Sequence, residues 1–235
     1  MFEKSYEIRY GDYKDFDTVK PGVILDIIQD MAIKDSARCG YNLDKLLSLG
    51  LAWMMQGVNV YFKKPVSTRF PMDVKTAVKA LGGATSERGC YIEQNGETVA
   101  KSIAYWFIFD INKKRICKVP KEMPDAYTFC DFDGDEFFTY KKPEILEDAK
   151  FLYTVRVGNK DIDTNKHLNN QKGADILMDA LPYDFSFNSI SLLYKKSAYL
   201  GDELSVCIKQ LENGYYVHAL NTSDELCVAG VFENI

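Results

Sequence analysis

The chain has 235 residues, of which 46% are apolar and 27% charged, and its net charge is −5. That balance suits a globular protein with a substantial core and argues against a nucleic-acid binder as a whole. No stretch approaches the roughly 18 apolar residues of a membrane span, and the opening MFEKSYEIRYGD lacks the apolar run of a signal peptide, so the expected setting is the cytoplasm.

Residues 3–10 read as a strand, followed by the polar loop GDYKDFDT. Pro21 suits the first position of a helix, with Asp17 or Thr18 near the cap. Ile24, Ile27, Ile28 and Met31 then fall on one apolar face at helical spacing. The helix fades near Cys39-Gly40, and LDKLLSLG predicts one or two further helical turns. Four strand-like runs follow at 51–63, 72–81, 86–94 and 97–109. Turn signals separate them, including Gly82-Gly83 and the hairpin pair Asn95-Gly96. Residues 117–150 hold three prolines, many acids and little periodicity, and read as a connecting segment on the surface. The six cysteines, Cys39, Cys90, Cys117, Cys130, Cys207 and Cys227, form no CxxC pair, which predicts free and mostly buried thiols.

After residue 150 the pattern restarts. FLYTVRVG reads as a strand, then come a polar loop, a helix at 170–181, and strand-like runs at 188–198, 203–211, 214–221 and 225–232. Asn213-Gly214 is again a hairpin signal. Lys14-Asp15-Phe16-Asp17-Thr18 matches Lys160-Asp161-Ile162-Asp163-Thr164, and Phe62-Lys63-Lys64 matches Tyr194-Lys195-Lys196. The common order implies a duplicated unit, a helix followed by an antiparallel sheet, with the two copies as an internal pseudo-dimer. On this alignment the first copy has Val19 and Pro21 where the second has Asn165 and His167.

The densest polar stretch is NKDIDTNKHLNNQ. Asp161, Asp163, Asn165, His167 and Asn169 fall at every second position, so an extended backbone would turn Asp163, Asn165 and His167 to one face. Carboxylate, amide and imidazole together suit hydrolysis; a solvated loop ending in a helix cap is the alternative. Asn169 or Asn170 would cap the helix that follows, whose apolar face is Ala174, Leu177, Met178 and Leu181. Its opening N–H groups would be available to a developing oxyanion. Asp161-x-Asp163-x-Asn165 opens like a calcium loop, but Lys166 stands where that loop needs glycine and Lys172 where it needs glutamate. With His218 as the only other histidine and no cysteine pair, zinc is poorly supported too. There is no Gly-rich phosphate loop and no GxSxG elbow.

Asp161–Asn170, with the helix running to Leu181-Pro182, resembles the signature of acyl-acyl carrier protein (acyl-ACP) thioesterases, the plant-type enzymes and their bacterial relatives. Trp53, Asp73, Tyr105-Trp106 and Asp110 agree in the first half. The resemblance implies an α+β tandem (double) hotdog fold, each half an antiparallel sheet wrapped around a central helix. Residues 1–116 would form the N-terminal hotdog with the acyl-chain pocket, 117–150 the connection, and 151–235 the C-terminal hotdog carrying the motif. It implies hydrolysis of fatty acyl-ACP to free fatty acid and carrier protein, with Asp163, Asn165 and His167 as catalytic residues and no metal or cofactor. The partner would be an acyl carrier protein bearing a phosphopantetheine-linked chain, with a homodimer left open. Where relatives place Glu or Glu-Cys after the Tyr194-Lys195-Lys196 strand, this chain has Ser197-Ala198, so Ser197 stands in for the third polar group. Gly173 stands where an aromatic is usual. A non-catalytic acyl or acyl-carrier binding protein and an acyl-CoA thioesterase are the alternatives.

Overall fold

The computed structural model describes residues 1–235, the side chain of Asp133 excepted. It divides into two compact units, Met1–Tyr140 and Lys141–Ile235. In the first, β1 (Phe2–Tyr6) is followed by α1 (Pro21–Arg38), α2 (Leu43–Ser48), β2 (Leu51–Phe62), β3 (Met72–Gly82), β4 (Thr85–Gln94), β5 (Glu97–Asp110) and the short β6 (Arg115–Ile116). Its strands pair antiparallel in the order β1-β3-β4-β5-β2, with β6 added on β5. In the second unit β7 (Lys150–Arg156) precedes α3 (Asn170–Met178), then β8 (Ser189–Tyr194), β9 (Glu203–Gln210), β10 (Gly214–Leu220) and β11 (Leu226–Glu233). Their antiparallel order is β8-β11-β10-β9-β7. Among the described residues no helix is long and apolar enough to cross a membrane.

Helix α1 begins at Pro21 as expected, though Lys20 rather than Asp17 or Thr18 holds the cap position. Ile24, Ile27, Ile28 and Met31 are all buried. So are Asp35 and, on β4, Arg88, joined by an ion pair of 2.7 Å, which marks the helix-facing side of the sheet. The hairpin at Asn95-Gly96 forms with both residues at positive φ (53° and 77°), the geometry that pair favours. Asn213-Gly214 turns differently. A Cβ on Gly214 would lie 1.9 Å from the Phe232 carbonyl oxygen, so glycine is needed there for close backbone approach.

Residues 117–140 are not a surface connector. Met123 is fully buried against Leu46 and Ile108, and Phe132 and Phe138 against Ala77 and Ile103. The Phe132 ring fills the space above Gly89, where a Cβ would approach it to 2.2 Å. The segment thus lies partly on the sheet face opposite α1, through Phe132 and Phe138, and partly on the α1 side, where the Tyr127 hydroxyl is 2.7 Å from Ser36 Oγ of α1. Its aromatics show no period because their spacing answers to a sheet surface, not to a helix or strand of their own. The cysteines are free; Cys90, Cys207 and Cys227 are buried, and the other three partly so.

Candidate active site

The polar motif folds as a tight loop, not as an extended strip. Ile162 and Leu168 close it in an antiparallel bridge. Inside it, Asp163 Oδ1 accepts the backbone N–H of Asn165 at 2.8 Å and of His167 at 3.2 Å. The Asp163 N–H donates to the His167 carbonyl at 2.8 Å. The chain reverses at Lys166, whose φ is +65°. A short carboxylate that satisfies nearby amides competes with a strand ladder, and here it wins. Asp163, Asn165 and His167 therefore leave one loop, with Asn165 exposed and the other two partly buried.

The same framework occurs in the first unit, in a different register from the letter match. Tyr13 and Val19 form the equivalent bridge, and the Lys14 N–H donates to the Thr18 carbonyl. Arg9 N–H to Asp12 Oδ2 parallels Gly158 N–H to Asp161 Oδ2, each at 2.9 Å. Lys20 N–H to Asp12 O parallels Asn169 N–H to Asp161 O. Lys14 thus corresponds to Asp163, Phe16 to Asn165 and Thr18 to His167, whereas the letters had set Thr18 against Thr164. The first copy has a lysine, an aromatic and a hydroxyl where the second has its polar triad.

Asn169 is the cap of α3, its side chain accepting from the N–H groups of Gln171 and Lys172 at 2.8 and 3.3 Å. The Gly173 N–H donates to the Asn169 carbonyl at 2.8 Å. These amides already have acceptors, so the opening of α3 is not the free oxyanion site expected of it. The side-chain amide of Asn165, exposed on the loop, is the motif's remaining neutral donor. Gly173 is buried in α3, and a Cβ there would meet Leu168, Val228 and Tyr194 at 3.7–3.9 Å. Alanine fits; an aromatic ring would displace Leu168.

The sequence matches the family model of the acyl-ACP thioesterase N-terminal domain over residues 1–127 and that of the C-terminal domain over residues 144–229. The chain belongs to the acyl-ACP thioesterase family. No curated protein matches it by sequence. An acyl-ACP thioesterase from Bacteroides thetaiotaomicron superposes with a TM-score of 0.87 at 17% identity, covering 99% of this chain and 96% of that one. A 12:0-ACP thioesterase from Umbellularia californica does so with a TM-score of 0.87 at 15% identity, over 99% and 96%. The fold is the tandem hotdog, and the reaction is hydrolysis of fatty acyl-ACP to free fatty acid and carrier protein.

In this thioesterase the segment after β8 runs beside the motif loop: the Leu168 N–H donates to the Ala198 carbonyl at 2.8 Å. Ala198 is buried, while Ser197 is exposed and makes no hydrogen bond to His167 among the described residues. The aspartates nearest in sequence to the motif and to Ser197 each accept a backbone amide of their own turn. Asp161 Oδ2 accepts the Gly158 N–H, and Asp202 Oδ2 accepts the Tyr199 N–H at 2.8 Å. The side chain that does meet the imidazole is Tyr199, with ring centroids 5.1 Å apart and planes at 82°. Nothing in the local pattern singles Tyr199 out. The signal that finds it is the repeat, since Tyr194-Lys195-Lys196 on Phe62-Lys63-Lys64 sets Tyr199 against Ser67, and Ser67 bridges to Thr18.

Proposed function

We propose that Asp163, Asn165 and His167 carry the hydrolysis, with His167 as general base, Asn165 as donor to the thioester oxygen, and Asp163 as the group that holds both. The double acceptance by Asp163 Oδ1 supports this, because it ties the amide and imidazole residues into one short loop. Imidazole can take up and return a proton near neutral pH. His167 removes a proton from water, and the water oxygen attacks the thioester carbon. The carbonyl electron pair moves onto its oxygen, which accepts from the Asn165 amide. Collapse breaks the C–S bond, and the phosphopantetheine sulfur takes the proton from the imidazolium. Fatty acid and carrier thiol leave, and Ser197 is the position at which a third polar group would assist.

The acyl chain is assigned to the first unit, whose helix α1 turns the apolar Ile24, Ile27, Ile28 and Met31 inward, with Trp53, Met54 and Met55 on β2. Bulkier side chains at these positions should shorten the preferred chain. The carrier is assigned as an acidic ACP in preference to CoA. Lys64 and Lys196 are ion-paired to Glu97 and Glu225, so any attraction rests on a modest local excess of lysine. Such attraction is screened by salt, and KM for acyl-ACP should rise with ionic strength.

The test is thiol release from a panel of acyl-ACPs and acyl-CoAs. His167→Ala should lower kcat by roughly 10²–10⁴-fold and Asn165→Ala by roughly 10²–10³-fold, each with wild-type melting behaviour. Near-wild-type turnover by His167→Ala would overturn the assignment.

A further inference from the structure

If His167 is the general base, something must hold its ring in the plane from which it can reach water. Among the described residues no carboxylate is hydrogen-bonded to the His167 ring; Asp163 Oδ1 takes two backbone amides, and Asp161 and Asp202 each take one. Tyr199 is the side chain in contact with the ring, perpendicular to it at 5.1 Å.

Hydrogen bonds pin the backbone on both sides of this contact. On the His167 side they are the Asp163 bonds and the Ile162–Leu168 bridge. On the Tyr199 side, Ala198 O accepts from Leu168, and Tyr199 N–H is held by Asp202 Oδ2. Asp202 is in turn fixed through its carbonyl, which accepts the Val157 N–H at 2.9 Å, while Gly201 N–H donates to Val157 O at 2.9 Å. The first unit brings the same two positions together as a Thr18–Ser67 bridge. The framework therefore dictates the proximity, and the second unit has filled it with an imidazole and a phenol ring.

We propose that Tyr199 is a positioning residue for His167. Its ring sets the imidazole plane by an edge-to-face contact, an arrangement aromatic pairs prefer, and so does without charge what a carboxylate would do by hydrogen bonding. The contact needs the ring and not the hydroxyl. This rests on the assignment of His167 above, and the two can fail separately.

The experiment compares Tyr199→Phe, Tyr199→Ala, Tyr199→Leu and His167→Ala in the full chain, by thiol release from acyl-ACP across pH 5.5–9. Tyr199→Phe should keep kcat within about 2-fold and an unchanged pH profile. Tyr199→Ala and Tyr199→Leu should lose on the order of 10-fold in kcat, with KM little changed and the acidic limb of the profile displaced. Leucine fills the volume without a ring face, so its loss would show that packing alone does not suffice. Wild-type kcat in the alanine and leucine variants, with His167→Ala inactive, would overturn the positioning role and leave the catalytic assignment standing. Equal losses in the phenylalanine and alanine variants would also overturn it, because the hydroxyl would then be the active part. Full activity of His167→Ala would remove the premise for both.

Discussion

Asp163 meets His167 at its backbone: Oδ1 accepts the His167 N–H at 3.2 Å while also accepting the Asn165 N–H at 2.8 Å. The carboxylate is thus first a loop-forming group. Asparagine retains an oxygen for both amides and alanine does not. Asp163→Ala should therefore lose about 1–2 kcal/mol in urea unfolding, and Asp163→Asn no more than about 0.5 kcal/mol. Equal stability of the two variants would show that the loop does not depend on this acceptor.

Ser197 lies one hydrogen-bonded residue from the contact that brings Tyr199 to His167. Ser197 and Tyr199 are both exposed, on either side of the buried Ala198. A glutamate at 197 has the reach to approach His167 diagonally, and a charge-assisted hydrogen bond supports imidazolium better than a hydroxyl. Ser197→Glu should raise kcat, with a stability change within about 0.5 kcal/mol because the site is exposed. Unchanged or lower kcat in a variant of normal stability would show that the tyrosine contact already meets this need.

The first unit buries a charge network between α1 and its sheet. Asp35, 1% exposed at its side chain, accepts from Arg88 Nη1 at 2.7 Å and from Arg38 Nη2 at 2.7 Å. Removing Asp35 leaves Arg88 buried and unpaired, which costs roughly 3–5 kcal/mol. Asp35→Ala should show that loss in denaturant unfolding, and Asp35→Leu with Arg88→Met should recover much of it. A loss under 1 kcal/mol in the single variant would mean that Arg88 finds water or another acceptor.

His218 on β10 is buried, with Nδ1 lacking a partner among the described residues. It sits edge-on to Tyr216 at 5.4 Å and pairs across strands with Cys207. Burial lowers its pKa below the usual histidine value. As pH falls through about 6.5 the unfolded chain takes up a proton that the folded one refuses, so this stabilising contribution, full above that pH, is lost below it. Stability should therefore drop between pH 7.5 and 5.5, and the drop should shrink in His218→Phe. The same drop in both proteins would assign the pH dependence to other groups.

Local pattern in the sequence was enough for α1 and its buried isoleucines, the Asn169 cap and the Asn95-Gly96 hairpin, because each depends on residues within a turn or two of one another. The duplication was legible from element order, and the family from the motif. Tertiary structure decided what depends on distant partners. The Tyr13–Val19 and Ile162–Leu168 bridges, each within its own unit, make Thr18, not Pro21, the counterpart of His167 in the repeat. Gly89 left room for Phe132 and drew residues 117–140 onto the sheet of the first unit. The Leu168–Ala198 hydrogen bond brought Tyr199 to the imidazole. Periodicity reports which face of an element is buried; which residue lies across from it is fixed by backbone pairing between segments far apart in the chain, and that pairing leaves no local trace.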